Sequence, residues 1–266
     1  MSLNKIVQKI IPSVFVDFYR NNFSSSTKWV GNYSTWNAAK KDSKGYESGD
    51  ILTKVFDSTL AVSLGKATYE RDSFLFYDED YDLELIALIL SVALKNKGKV
   101  NVLDFGGALG STFFKNRKFI SSVKNLKWIV VEQPSFVKLG QKNFESKQLS
   151  FCKDLNSFSK KNKFNIVLFS SVLQYLENPF EVIKKSVSLN PKYIVVLRTS
   201  FTDSKNRIAV QKVNPKIYSA TYPCHIFNER YFLDCFKGYK SIHSKTENDY
   251  LSGNLYFKSY FLERLK

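Results

Sequence analysis

Val102-Leu103-Asp104-Phe105-Gly106-Gly107-Ala108-Leu109-Gly110 is the stretch on which the reading of this chain turns. An apolar run ends beside a carboxylate, and three glycines within five residues then bend the chain toward a new element. Glycine serves where the backbone needs unusual dihedrals and where a ligand must approach it closely. In doubly wound sheets that place is the crevice at the carboxyl ends of the strands. Outward from it, apolar runs alternate with helical periodicity. Strands are expected over 100–105, 127–132, 164–170 and 193–198, and helices over 111–122, 135–144 and 179–189. Such alternation reads as parallel βαβ units, hence a Rossmann-like α/β fold with a doubly wound, mostly parallel sheet. Segments 239–244 and 255–262 alternate like a terminal antiparallel hairpin around Ser252-Gly253-Asn254.

The turn is not a dinucleotide fingerprint. Counted from Gly106, the second and third glycines of G-x-G-x-x-G would fall on Ala108 and Ser111. What stands there is D-x-G-x-x-x-G, which resembles motif I of the class I S-adenosylmethionine (SAM)-dependent methyltransferases. The chemistry suits that cofactor: SAM offers no pyrophosphate to a helix N-terminus, but a sulfonium and a cationic amino-acid tail that favour a carboxylate such as Asp104. Glu132 closes the second strand, 22 residues after Gly110. Acidic residues at that spacing accept hydrogen bonds from ribose hydroxyls in nucleotide-binding folds. The resemblance further implies that Asp154 contacts the adenine amino group. It also implies that Ser170-Ser171-Val172-Leu173-Gln174-Tyr175 faces the methyl group. The expected cofactor set is therefore Asp104, Gly106, Gly107, Gly110, Glu132, Asp154 and Ser170.

The formal net charge of +16 raises the question of a nucleic-acid partner, and its distribution answers it. Residues 1–95 carry 11 basic and 12 acidic side chains, 96–200 carry 18 and 6, and the rest carry 11 and 6. The excess is lysine, 33 against 7 arginines, scattered in ones and twos. Nucleic-acid readers favour arginine for bidentate contacts. A solvated lysine surface is the expectation, with an anionic substrate next. Three cysteines without a C-x-x-C pair, and only two histidines, argue against a disulfide framework and a zinc site. No window resembles a membrane span and no export signal is visible, so the expected location is the cytoplasm.

The first 95 residues read as a helical and loop extension, a lid or an acceptor or dimer region, ahead of the SAM domain over 96–266. Ile6, Val7, Ile10, Ile11, Val14, Phe15 and Phe18 form one helical stripe. Its expected partner is its own domain or a second copy in a homodimer, with a peripheral membrane contact as the alternative. Residues 24–50 read as loop with short helices, and 81–95 as a strongly apolar helix.

Several flanking segments resemble a bacterial methyltransferase family encoded among genes for capsule and surface polysaccharide. They are Trp29 through Ala39, Gly45-Tyr46, Ile51-Leu52, Arg71-Asp72-Ser73 with Phe76, Arg198-Thr199-Ser200-Phe201, and Tyr222-Pro223-Cys224-His225-Ile226-Phe227. That family usually carries an aromatic residue where His225 stands. The resemblance implies methylation of a small molecule or glycan precursor, on a sugar hydroxyl or a phosphate or phosphoramidate oxygen. An alcohol acceptor needs a base, for which His225 is the candidate; an oxyanion needs only basic residues such as Arg198. Tyr175 and Arg71 are further acceptor candidates. Trp29, Tyr33, Trp36 and Tyr46 either cover the site or pack the extension. Two other functions stay open on the residues. One is an RNA methyltransferase, although Asn178-Pro179-Phe180 comes about two helical turns too late for the D/N-P-P-Y/F motif. The other is a catalytically silent SAM-binding partner protein.

Overall fold

The computed structural model describes residues 28–43, 48–71, 73–158, 161–212, 220–247 and 255–265, with backbone alone over 48–51. The apolar stripe over 3–19 and Tyr46 lie outside the described residues. The chain forms β1 (Lys28–Tyr33), α1 (Trp36–Lys41), α2 (Ser48–Ser63), β2 (Tyr69–Arg71) and β3 (Phe74–Phe76). Next come α3 (Leu83–Lys95), β4 (Lys99–Phe105), α4 (Ser111–Ile120), β5 (Asn125–Val131), α5 (Pro134–Asn143) and β6 (Leu149–Cys152). β7 (Ile166–Ser170), α6 (Pro179–Ser188), β8 (Tyr193–Thr202), β9 (Arg207–Lys212) and β10 (Thr221–Asn228) follow. The last elements are α7 (Glu229–Asp234), β11 (Tyr239–Thr246) and β12 (Leu255–Arg264).

Two compact units result. The larger comprises Glu47–Thr199, Arg230–Lys245 and Lys258–Lys266. Its sheet runs β6-β5-β4-β7-β8 with every neighbour parallel, and β12 then β11 continue it beyond β8. β12 is antiparallel to β8: Arg198 N donates to Ser259 Oγ, and Arg264 N to the Lys192 carbonyl. The order reverses between β4 and β7, so the crevice outside their carboxyl ends is the topological switch point of the sheet.

Strands buried on both faces read as near-continuous apolar runs, as 166–169 of β7 and 193–197 of β8 do. Val102, Trp128, Ile166 and Val195 share one face of the core with Leu85, Ile86, Ile89 and Val92 of α3, all of them buried. α3 thus belongs with the sheet, and the contact boundary falls near residue 47 rather than at the expected 95. Pro134 and Pro179 start α5 and α6, where a missing N–H costs nothing. α2 ends on a borrowed cap: the Arg117 guanidinium donates to the Val62 and Ser63 carbonyls. No helix among the described residues is long and apolar enough to cross a membrane.

The smaller unit comprises Met1–Tyr46, Ser200–Glu229 and Thr246–Phe257. β9 pairs antiparallel with both β1 and β10, and the end of β8 pairs parallel with β10 through Phe201 and Phe227. Ala209, Ile226, Leu255 and Trp29 pack its core. Part of the 24–50 stretch expected as loop is therefore strand, followed by α1, whose cap is Thr35 Oγ1 accepting from Ala38 N at 3.2 Å. β9 and β10 escape sequence reading because Pro223 in β10 argues against a strand. The terminal hairpin forms as expected, each strand two residues longer.

Candidate cofactor and acceptor site

The turn after β4 is built by collisions that only glycine avoids. Gly106 has φ +73°, and a Cβ there would run into Val172, in the turn after β7. A Cβ on Gly107 would run into the Asp104 carboxylate. Gly106 thus locks the turn to its neighbour across the switch point, and Gly107 lets the chain fold back over the acid. Gly110, at φ +94°, caps the start of α4.

Asp104 is wholly buried. Its Oδ2 accepts from the Trp128 indole at 3.0 Å, while Oδ1 has no hydrogen-bond partner among the described residues. Burial, with the nearby Glu132 charge adding to it, pushes this carboxyl up to about 7 despite the Trp128 bond. An orphaned buried acceptor of this kind costs about 1–3 kcal/mol, so it is out of place in a purely structural turn. Glu132 directly follows β5. Its carboxylate accepts from the N–H groups of Gln133, at 2.6 Å, and of Ala108, inside the glycine turn. Desolvation raises its pKa against those two bonds. Two carboxylates therefore flank one glycine turn, and both gain from a cationic or hydrogen-bond-donating ligand.

Asp154 follows β6 and is exposed. It caps the short turn Leu155–Ser157, accepting from Asn156 N at 2.7 Å. Ser170 ends β7, with Leu197 of β8 as its neighbour. Beyond it, Ser171 has φ +52°, and Leu173–Tyr175 form one 3₁₀ turn that carries Tyr175. Sequence reasoning placed Arg198 at the end of a strand; it lies inside β8 instead. Its φ of +49° marks a left-handed residue in the middle of a strand, rare for a side chain with a Cβ. The Arg198 carbonyl accepts from Gln174 Nε2 at 3.2 Å and Ser171 Oγ at 3.5 Å. Gln174 is buried, and its Oε1 has no hydrogen-bond partner among the described residues. Contacts thus link Glu132 to the turn at Ala108, Gly106 to Val172, and Ser171 to Arg198.

His225 belongs to the smaller unit and lies within β10. Its ring stacks on Trp36 at 4.9 Å and on Phe227 at 5.5 Å. Trp29 packs edge-on against Phe257, and Tyr33 donates to Asp42 Oδ2 at 2.9 Å. Arg71 lies over the stacked Tyr69 and Phe76 rings and pairs with Asp80 at 3.6 Å. Sequence reasoning missed Trp128, and it named Val172 and Gln174 only within the motif over 170–175, without their contacts. Only strand register reveals the first, and only the approach of two turns reveals the others. Among the described residues no group of three or more His, Cys, Asp and Glu side chains could hold a metal ion.

No protein-family model matches the chain, and no curated protein matches its sequence. Solved structures do. The [4+2]-cyclase SpnF superposes with a TM-score of 0.50 at 12% identity, over 82% of this chain and 95% of its own. The fold is that of the class I methyltransferases. The N-terminal domain of EvdMO1, crystallised with S-adenosylhomocysteine and D-fucose, gives 0.47 at 10% identity over 83% and 98%. The 1,6-didemethyltoxoflavin-N1-methyltransferase of Burkholderia thailandensis, also with S-adenosylhomocysteine, gives 0.43 at 11% over 84% and 91%.

Proposed function

We propose that this chain is a SAM-dependent methyltransferase acting on a small molecule or glycan precursor. The observation that carries the reading is the glycine turn at the switch point, flanked by the orphaned Asp104 carboxylate and by Glu132. SAM supplies an electrophilic methyl group. Asp104 and the backbone around Gly106 and Gly107 face the cationic amino-acid tail, Glu132 the ribose, and Asp154 the adenine. Arg198 grips an anionic acceptor, or His225 takes the proton of an alcohol. Orienting two reactants in this way is worth roughly 7–11 kcal/mol of barrier. The capsule-precursor acceptor rests on the segments around Trp29, Arg198 and His225 that resemble the polysaccharide-associated family.

A second reading comes from SpnF, a [4+2]-cyclase on this same fold. Fold alone does not dictate methyl transfer. Calorimetry comes first, with S-adenosylhomocysteine and NAD as ligands: the former binds and the latter does not. Because Asp104 titrates near neutrality, seating the ligand's ammonium group beside it should release a proton, read as a dependence of heat on buffer ionisation. Labelled SAM is then offered with capsule precursors and with total RNA. Label in the precursors supports the reading; label in RNA, or binding of NAD alone, overturns it; binding without any transfer favours the non-methylating role.

A further inference from the structure

The opposite pole of the larger unit carries a feature that methyl transfer does not use. β4 runs seven residues from Lys99 to Phe105, about 20 Å, and the glycine turn lies at its far end. At its near end is a concavity of about 400 Å³. Lys95, Lys97, Lys99 and Lys163 line it with the amides of Asn96, Asn101 and Asn165, and no carboxylate joins them. Among the described residues none of the four lysines forms an ion pair, although other lysines of the unit do. Four ammonium groups around one hollow with no carboxylate in its lining repel each other and focus a positive potential into it.

The backbone beneath them is tied down. α3 ends in a Schellman turn in which Gly98 N donates to the Ala93 carbonyl at 2.8 Å. Lys97 fills the left-handed position there, with φ +53°, where glycine is the unstrained choice. The second loop is locked to the first strand: Asn101 N donates to Asn165 Oδ1, and Asn101 Nδ2 to the Lys163 carbonyl, each at 2.8 Å. Two lysine-bearing loops, preceding the adjacent strands β4 and β7, are thereby fixed side by side. A lysine kept in a strained position, beside like charges and away from any partner, costs stability unless an anion gathers there.

We propose that this hollow binds a compact, multiply charged phosphate anion of the diphosphate class. Lysine ammonium groups bind phosphate as point charges, and the asparagine amides add neutral donors. The four cations match the several negative oxygens of a diphosphate better than the single charge of a carboxylate. The four lysines are gathered in one small cluster rather than drawn out in the run of cations that tracks a nucleic-acid backbone, which favours a compact anion.

Titration calorimetry with inorganic pyrophosphate and the full chain tests this. One equivalent binds, and Lys97→Gly with Lys163→Gln weakens binding by at least about tenfold, the loss expected for charged hydrogen bonds. Lys97→Gly removes the backbone strain, so a folding defect does not confound the result. The control pair Lys138→Gln with Lys240→Gln changes net charge equally on exposed sites elsewhere and leaves affinity unchanged. Absence of binding, or equal loss in the control pair, overturns the proposal. So does binding to phosphatidylglycerol vesicles that pyrophosphate does not compete away.

Discussion

Asp104 is the residue on which stability and ligand binding meet. Its carboxyl, pushed up to about 7, keeps its proton in the folded chain long after the unfolded chain has lost it. A group with a raised folded pKa contributes stability in full below the ordinary carboxylate range, and that contribution is lost as pH rises through about 7. We expect the ligand-free protein to lose on the order of 3 kcal/mol between about pH 4 and pH 8, and Asp104→Asn to flatten the slope. Urea midpoints across that range check it; parallel profiles for both proteins would remove Asp104 as the cause. Glu132→Ala should weaken SAM binding by about tenfold or more, roughly 1.5–3 kcal/mol, as a charged acceptor is lost. An unchanged dissociation constant in a folded variant takes Glu132 out of the site. The sequence made Asp104 and Glu132 legible through spacing from the glycines. It gave no sign of Trp128, because which side chain meets Asp104 across the sheet depends on strand register.

Among the elements, β8 and the pair α3–α4 carry the sharpest expectations. β8 holds Arg198 in a left-handed conformation, a strain of about 1 kcal/mol for a residue with a Cβ. Arg198→Gly should therefore leave thermal stability equal or slightly higher while acceptor turnover falls, whereas Arg198→Ala loses turnover without that relief. If the acceptor is an oxyanion, His225→Ala is mild; if His225 is the base, its loss lowers kcat by roughly 10²–10⁴-fold. We favour the anionic case, since His225 is stacked between Trp36 and Phe227 as a core aromatic would be. Normal turnover in both Arg198 variants and in His225→Ala would show that neither residue touches the acceptor. α3 is fastened to α4 by Asn116, fully buried, whose Oδ1 accepts from Asp82 N at 3.0 Å and whose Nδ2 donates to Asp82 Oδ2 at 2.8 Å. Asn116→Ala strips both bonds and leaves Asp82 facing Lys115 alone. A loss of about 1–3 kcal/mol should appear in chemical denaturation. A polar residue on an amphipathic helix announces none of this, because its partner lies 34 positions away.

At the scale of the molecule the surplus of lysine sets the behaviour toward polyanions. The concavity at the start of β4 gathers four of them, and the others are scattered along the sequence in ones and twos. Association with total RNA should be weak, without sequence preference, and should fade toward physiological salt, because it rests on counterion release alone. Filter binding over a salt series measures this. Submicromolar binding that survives physiological salt would return an RNA methyltransferase to consideration. Arginine scarcity was readable in the composition; that four lysines share one hollow was not, since Lys163 joins Lys95 through Lys99 only when β7 is laid beside β4.

The sequence by itself determined the α/β alternation, the parallel order of the βαβ units and the glycine turn beside an acid, because period, apolar runs and glycine act locally along the chain. It also determined that 81–95 is a strongly apolar helix. Tertiary structure alone decided which strands are neighbours, and with them the orphaned state of Asp104, the contact of Gly106 with Val172 and the kink of β8 at Arg198. It decided too that β9 pairs with both β1 and β10, a set of strands that Pro223 and a weak alternation concealed. These are properties of residues far apart in sequence, and a hydrogen bond or collision between them exists only once the chain has closed the loop that separates them.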